Sequence, residues 1–334
     1  MTVLVTGAAG FMGGHVVRAL LESGRHDVRI LLLESERERA KDFAGATPFI
    51  GGLDDAALLE QAVDGCQTVL HLAGKNIDND GTGFDAVNVQ GTKRLVEAAD
   101  RAGVGKVLYL STVGVYGHRR FVEADETTPL RPDTAFSRSK AQAEAIVLAR
   151  HQKDGFQAAV VRHRFVYGRG DAHVLTRIIQ AAQKYPFLIG GGQARISLIH
   201  VESLAEILIR LMEADLSAEA HPVYHATDGV PIRYREMVEE ICRAYGLPMP
   251  TKRVPYGLLY GPVRLKEKLL GIDPEVTRSS ISSMRLKLVG LDNCFSNEKI
   301  RRRFPDLVLP PFIKVFPTAA DYYRQFITQK DSHS

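Results

Sequence analysis

The sequence predicts an α/β protein: a Rossmann-type doubly wound parallel sheet with a smaller C-terminal α/β substrate-binding domain. The chain opens on a buried strand that runs into glycines and then into a helical pattern, Thr2 to Gly14 (TVLVTGAAGFMGG). Apolar runs then alternate with helical patterns, six strands in all by Arg162, as in sheets covered on both faces. With 334 residues and 45% hydrophobic content, there is material for two domains with real cores.

In Thr2–Gly14, the strand leads through Gly7, Gly10 and Gly13 into a helix reaching Ser23. One glycine allows a tight turn, one lets backbone approach a pyrophosphate, and one lets the helix lie close on the strand. The free N–H groups and positive end of the helix then face the anion. Strand two is Val28 to Leu33 (VRILLL), whose end selects the cofactor: Glu34 would favour NAD through a ribose hydroxyl, and Ser35, Arg37 and Arg39 would favour NADP. The same stretch, ESERERAK, also reads as a solvated helix start. Thr47 to Ile50 is a third strand, and Gly52 to Asp55 opens a helix ending near Gly65. Val69 to Ala73 is the fourth, closing on Gly74, Lys75 and Asn76. The polar loop DNDGTG follows, then a helix burying Val87, Gly91, Leu95, Val96 and Ala99. The fifth strand is Val107 to Thr112, followed by Tyr116 and Gly117. After a loop with Pro129 and Pro132 come a helix from Ser137 to His151 and a sixth strand, Ala158 to Arg162. Ligands of such sheets sit at the C-terminal strand ends, so Gly7, Lys75, Thr112 and Tyr116 are expected to converge.

From Tyr167 the rhythm breaks, although Ile196–Val201 and Leu204–Met212 again read as a strand and helix returning to the nucleotide domain. The expected division is 1–166 plus 196–226 for dinucleotide binding and 167–195 plus 227–328 for substrate, with 329–334 a loose tail. A net charge of +4 with mixed signs offers no block for nucleic acid. Cys66, Cys242 and Cys294 lack metal-ligand or disulfide spacing and read as reduced thiols, so no metal site is expected. No apolar run reaches about 18 residues, and a strand beginning at Thr2 leaves no room for a signal peptide. A cytoplasmic protein without a membrane segment is therefore expected.

The motifs TGAAGFMG (6–13), HLAG (71–74), NVQGT (88–92), STVGVYG (111–117), SRSKAQAE (137–144), VYGRGD (166–171) and IHVESLA (199–205) cover nearly the whole chain. Together they resemble the extended short-chain dehydrogenases/reductases of the NAD-dependent epimerase/dehydratase superfamily. Thr277 and FSNEKI (295–300) look most like the beta-hydroxysteroid dehydrogenase/isomerase branch and related lipid or natural-product reductases. The resemblance implies a lysine that binds the nicotinamide ribose, at Lys140, and a hydroxyl for the substrate oxygen, at Thr112. It also implies a general acid/base tyrosine four residues before the lysine, and that position is Phe136. A phenyl ring has no proton to exchange, and losing a positioned acid typically costs about 10² to 10⁴ in rate.

The implied cofactor site comprises Gly7, Ala9, Gly10, Phe11, Met12, Gly13, Glu34, Arg37, Leu53, Leu72, Ala73, Gly74, Lys140 and His163, for NADP(H) or NAD(H). An acid that contacts adenine in relatives falls at Gly52, and the ribose-selecting position falls at Leu32 or Leu33. Relatives commonly pair as homodimers through helices matching Asp85–Arg101 and Ser137–Arg150, which would place Val87, Leu95, Ala141 and Ala145 at an interface rather than in the core.

Candidates to replace the missing phenol are Lys75, Tyr116, His118, His163 and Tyr167, each of which also reads as a packing or surface residue. A substrate that is already electrophilic could instead use a water held by Lys140 or Thr112. Val254–Leu270 (VPYGLLYGPVRLKEKLL) reads as the wall of a large apolar pocket, as a membrane-surface segment, or as a helix packed on its own domain. The expected function is an NAD(P)H-dependent reductase of secondary metabolism, acting on a hydrophobic natural-product, lipid or steroid-like substrate without the usual tyrosine. The alternatives are a non-redox rearrangement or dehydration, and a dinucleotide-sensing binding protein.

Overall fold

The computed structural model describes residues 1–78, 80–272, 274 and 281–331; Thr277 lies outside them. The chain forms two compact units. Met1–Gly117, Pro129–His163 and Leu204–Ala226 make the first; His118–Thr128, Arg164–Ser203 and the chain from Thr227 make the second.

The first unit holds a seven-stranded, all-parallel sheet built from β1 (Thr2–Thr6), β2 (Asp27–Leu32), β3 (Thr47–Ile50), β4 (Thr68–His71), β5 (Lys106–Thr112), β6 (Gln157–His163) and β7 (Val223–Ala226). The spatial order is 7-6-5-4-1-2-3, so the chain reverses its direction of growth between β1 and β4. The crevice for a ligand opens at that reversal. Its helices are α1 (Phe11–Ser23), α2 (Ala56–Val63), α3 (Thr92–Arg101), α4 (Ala135–Leu148) and α5 (Val201–Glu213), the last belonging to this unit from Leu204.

On one face Leu59 and Val63 of α2, Leu95 and Ala99 of α3, and Ala143 and Val147 of α4 cover Val69, Val107 and Val160. Each buried Leu or Val contributes about 1.5–3 kcal/mol, which holds α3 and α4 against the sheet. Leu95 is fully inside this core, whereas Val87 and Ala145 are exposed. Lys106, buried at the start of β5, donates from Nζ to the Met212 carbonyl at 2.8 Å and to that of Ala214, closing the C-terminal end of α5.

The helix expected from Ser137 begins two residues earlier because Thr134 caps it: Thr134 Oγ1 accepts from Ser137 N at 3.0 Å, and Ser137 Oγ accepts from Thr134 N at 3.0 Å. Phe136 therefore lies in its first turn.

In the second unit, Arg195–Ile196 pairs with Ile232–Arg233 and with Asn293–Phe295, and Leu198–His200 pairs with Phe165–Tyr167. The stretch Ile196–Val201, expected to rejoin the nucleotide sheet, thus does not do so. Ser197 divides it: its N–H donates to Asn293 O, and its Oγ accepts from Phe295 N, both at 3.0 Å. The strand that returns is β7. The core here gathers Tyr167, Ile178, Ile241, Phe312, Phe316 and Tyr323, with Phe312 and Phe316 stacked at 4.9 Å. The last helix, Phe312–Asp331, carries the first residues of the expected tail; 332–334 lie outside the described residues. In the Val254–Leu270 segment, helix Tyr256–Leu269 leaves Leu258, Leu265 and Leu269 exposed. Among the described residues no helix is long and apolar enough to cross a membrane.

Candidate active site

Gly7, just past β1, adopts φ +72°, and a Cβ there would stand 2.7 Å from Ala73 N, beyond β4. The two strand ends of the crevice thus meet backbone to backbone. Gly10 N donates to Gly7 O at 3.0 Å, and Gly10 caps α1 without any side-chain acceptor for its leading amides. A Cβ on Gly13 would collide with the Gly7 carbonyl. These features suit a pyrophosphate: backbone donors, no side chain in the way, and the positive end of a helix. We expect Gly13→Ala to lower stability by about 1–3 kcal/mol and to abolish measurable dinucleotide binding, read by thermal melts and calorimetry.

Beyond β2, Glu34 and Arg37 pair with each other on the surface at 2.8 and 2.9 Å. The Arg37 hydrogen bond holds the Glu34 carboxyl below its usual range. Arg39, two residues on, reaches back and donates to the Ala9 carbonyl in the glycine loop while pairing with Asp42 at 3.2 Å. Asp54 Oδ1 stands where a side chain on Gly52 would begin, so a carboxylate occupies the place that position 52 leaves empty. Leu53 is buried, its side chain against Gly91.

A chain of hydrogen bonds ties β1 and β4 to the segment before α3. Ala73 N donates to Thr6 Oγ1 at 3.1 Å, and Thr6 Oγ1 lies 2.8 Å from His71 Nδ1. His71 Nε2 lies 2.9 Å from Thr92 Oγ1, which itself donates to Asn88 O at 2.6 Å. Thr92 has its proton committed, so it accepts from Nε2–H, and Thr6 donates to Nδ1. This assigns a neutral imidazole, and burial pushes His71 down to about 3. Asn88 sits in a π-helical turn, Asp85–Gly91. Its Oδ1 accepts from Lys75 N at 2.7 Å, and its Nδ2 donates to Lys75 O and to Ser139 Oγ, both at 2.9 Å. Ser139 Oγ donates in turn to Phe136 O at 2.8 Å. Neither His71 nor Asn88 stood out in the sequence, where one reads as a strand residue and the other as part of NVQGT.

Lys75 Nζ donates to Asp78 at 2.6 Å, to Asp80 and to Thr82 at 2.8 Å. Asp78 and then Asp80 hold the ammonium above its usual range, which makes it a weak proton donor. Tyr116 is fully buried: its hydroxyl hydrogen-bonds His225 Nε2 at 2.7 Å and accepts from Arg162 at 2.6 Å. Arg162 is held by Glu144 at 3.0 and 2.6 Å. Thr112 and His163 are neighbours across β5 and β6. Thr112 Oγ1 accepts from Gly114 N at 3.1 Å, and among the described residues its own proton has no acceptor. His118 and Tyr167 belong to the second unit, where Tyr167 is fully buried against His200 and Phe312.

The Phe136 ring meets Phe84 edge-on at 5.7 Å. One turn further, Lys140 is buried, donates from Nζ to Leu110 O at 2.8 Å and stands 4.1 Å from the centre of the Tyr109 ring. Burial pulls it down to about 7, against the opposing pull of Glu144. Gly74 lies alongside: a Cβ there would stand 3.2 Å from Asn88 Oδ1, a tight approach, and 3.8 Å from Lys140 Nζ, an ordinary contact.

This geometry sits on a chain whose residues 3–225 match the model of the NAD dependent epimerase/dehydratase family. The chain belongs to that family. Among similar members, a 4-hydroxy-2-methyl-3-oxo-4-farnesyl-3,4-dihydroquinoline-1-oxide ketoreductase of Stigmatella aurantiaca is 28% identical over 307 residues, covering 90% of each chain. A 3 beta-hydroxysteroid dehydrogenase/Delta 5-->4-isomerase of Mycobacterium tuberculosis is 31% identical over 272 residues, 75% of this chain and 71% of that one. The crystal structure of gox2253 superposes with a TM-score of 0.78 at 26% identity, covering 97% of this chain and 98% of that one. An epimerase/dehydratase-family Rossmann unit is thus what the glycine loop and the switch point between β1 and β4 belong to. Among the described residues, no group of three or more His, Cys, Asp or Glu side chains is placed to hold a metal ion.

Proposed function

We propose that the protein is an NAD(P)H-dependent reductase that acts on a hydrophobic natural-product, lipid or steroid-like carbonyl without a tyrosine proton donor. Lys140 is the observation that carries this reading. It occupies the family's lysine position behind Phe136, and burial brings it to about 7, so the amine itself can hold and release a proton at neutral pH. The nicotinamide of a bound NAD(P)H supplies the hydride. Thr112, with its hydroxyl proton uncommitted, orients the carbonyl oxygen. Lys140 delivers the proton to that oxygen through a water, and the loop at Gly7, Gly10 and Gly13 holds the pyrophosphate. Phe136 and Phe84 present an apolar wall in place of the phenol. Lys75 and Tyr116, each engaged by charged partners, are given no proton to move.

A calorimetric titration with NADPH and with NADH, followed by assay of cofactor oxidation against apolar ketones, tests this. Binding of one cofactor and turnover support it; binding of neither overturns it. Turnover of substrate with no cofactor consumed would point instead to rearrangement, with neutral Lys140 as the base.

Arg39 lies where a 2′-phosphate would benefit. We expect Arg39→Ala to weaken NADPH roughly tenfold more than NADH, about 1.5 kcal/mol for one charged hydrogen bond, read by the same titration. A homodimer through Asp85–Arg101 and α4 completes the proposal, with Val87 and Ala145 rather than the buried Leu95 at its surface. Light scattering should give twice the chain mass of 36.8 kDa.

A further inference from the structure

Helix Tyr256–Leu269 of the second unit has two unlike faces. Tyr256 packs on Gly290, where a Cβ would stand 2.5 Å from its ring, and it stacks on Tyr260 with ring centres 5.2 Å apart. Leu259 lines an apolar cavity of about 280 Å³ in the same unit. Glu267 is buried, and its Oε1 accepts from Ser283 N at 2.8 Å, which pins the last turns to helix Ser283–Gly290. These inward residues recur at helical spacing, so they fix which way the helix is turned.

The opposite face is bare. Leu258, Leu265 and Leu269 are 70%, 57% and 74% exposed, and Leu270 just beyond them is exposed as well. At 3.6 residues per turn the first three fall within about 40° of one another, roughly opposite Glu267. Single exposed leucines are ordinary on a protein surface; a row of them along one helix marks a contact. The exposed charges of the helix are all positive, Arg264, Lys266 and Lys268, and its one acid is the buried Glu267, 3.7 Å from Arg264. Lys266 and Lys268 flank the row on either side, with stems long enough to lie along the leucines and heads free to reach outward. A second copy of the chain would set like charges against each other, and four leucines cover only part of the roughly 800 Å² per partner of a stable protein interface. A layer of anionic headgroups over hydrocarbon matches both the leucines and the cations.

We propose that this helix docks the protein on an anionic lipid surface, with Leu258, Leu265 and Leu269 seated below the headgroups and Arg264, Lys266 and Lys268 on the lipid phosphates. Leu259 adjoins Leu258, so a docked chain brings its apolar cavity beside the layer in which hydrophobic molecules dissolve. Use of that cavity by substrate rests on the reductase reading; the docking does not.

The test is flotation of the full chain with vesicles of phosphatidylcholine, with and without phosphatidylglycerol. Wild type should bind the anionic vesicles at least about tenfold more tightly than the neutral ones, a preference that high salt should remove. Lys266→Gln combined with Lys268→Gln should erase most of that preference, and Leu265→Gln combined with Leu269→Gln should abolish flotation. The chain contains no tryptophan, so Leu265→Trp places a single indole in the row. Its emission should shift to the blue on addition of anionic vesicles, whereas that of Val308→Trp, 79% exposed in a loop of the same unit, should not. Equal binding to the two lipids, flotation that survives the leucine changes, or the same shift in both tryptophan variants would overturn the proposal. An indole at 265 that is already blue-shifted without lipid and reddens on dilution would assign the row to a second copy, and overturn it too. None of these measurements uses cofactor or turnover, so failure of the reductase reading leaves the docking untouched, and failure of the docking leaves that reading untouched.

Discussion

Phe136→Tyr should raise the rate of carbonyl reduction about 10²-fold or more, the range a positioned general acid commands. The new hydroxyl would extend from a ring already held by Phe84, one helical turn before Lys140 and on the same face of α4. The pH profile should change with it. In the wild type, Lys140 gives up its proton near pH 7, so reduction should slow as the pH rises through that value. In the variant the phenol supplies the proton, and the decline should move upward by at least about one unit. Steady-state rates of cofactor oxidation at about pH 6 to 9 measure both effects. A fall in activity with an unshifted profile would show that substrate requires the bare ring edge and that the new phenol delivers no proton.

Lys140→Met should lower kcat by at least about 10², and it also exposes a linkage. The folded chain releases the Lys140 proton near 7, whereas the unfolded chain holds it to the ordinary value of 10.5. Between those limits the unfolded state binds the additional proton, so this residue makes the fold more stable as pH rises and less stable as pH falls toward 7. Methionine removes the dependence. The Tm of the variant relative to wild type should therefore be highest near neutral pH and should fall toward pH 10. The difference is on the order of a few kcal/mol at about 1.4 kcal/mol per pKa unit. A gap that stays flat with pH would mean that Lys140 keeps its proton throughout.

Gly7, Gly10, Gly13 and the Phe136–Lys140 spacing were legible because each depends on a few neighbouring residues and on the order of strands and helices. What lay hidden depends on contacts between distant residues. Nothing in ESERERAK says that Glu34 and Arg37 bind each other while Arg39 turns back to Ala9; that follows from the 3₁₀ winding of Glu34–Phe43. Position 52 looks acid-free in the sequence, yet the loop brings Asp54 to the same place. Lys75 resembles a free amine until Asp78, Asp80 and Thr82 close on it. Ile196–Val201 reads as a returning strand because its hydropathy suits one, but the hydrogen bonds of Ser197 commit it elsewhere, and the four residues of β7 are too few to announce themselves.

The position of β7 has a consequence for the order in which the chain folds. It hydrogen-bonds to β6 with Val223 beside Val160, about sixty residues downstream and beyond Arg164–Ser203, a stretch of the second unit. While the chain emerges from the ribosome, β6 keeps an open, apolar edge, and Lys106 lacks the Met212 and Ala214 carbonyls that cap its ammonium. Parallel pairings across such separations form slowly, and open strand edges invite other chains. A nascent chain halted before residue 223 therefore carries the glycine loop, Thr112 and Lys140 in sequence, but leaves β6 as an unpaired edge, the point at which misassembly would begin.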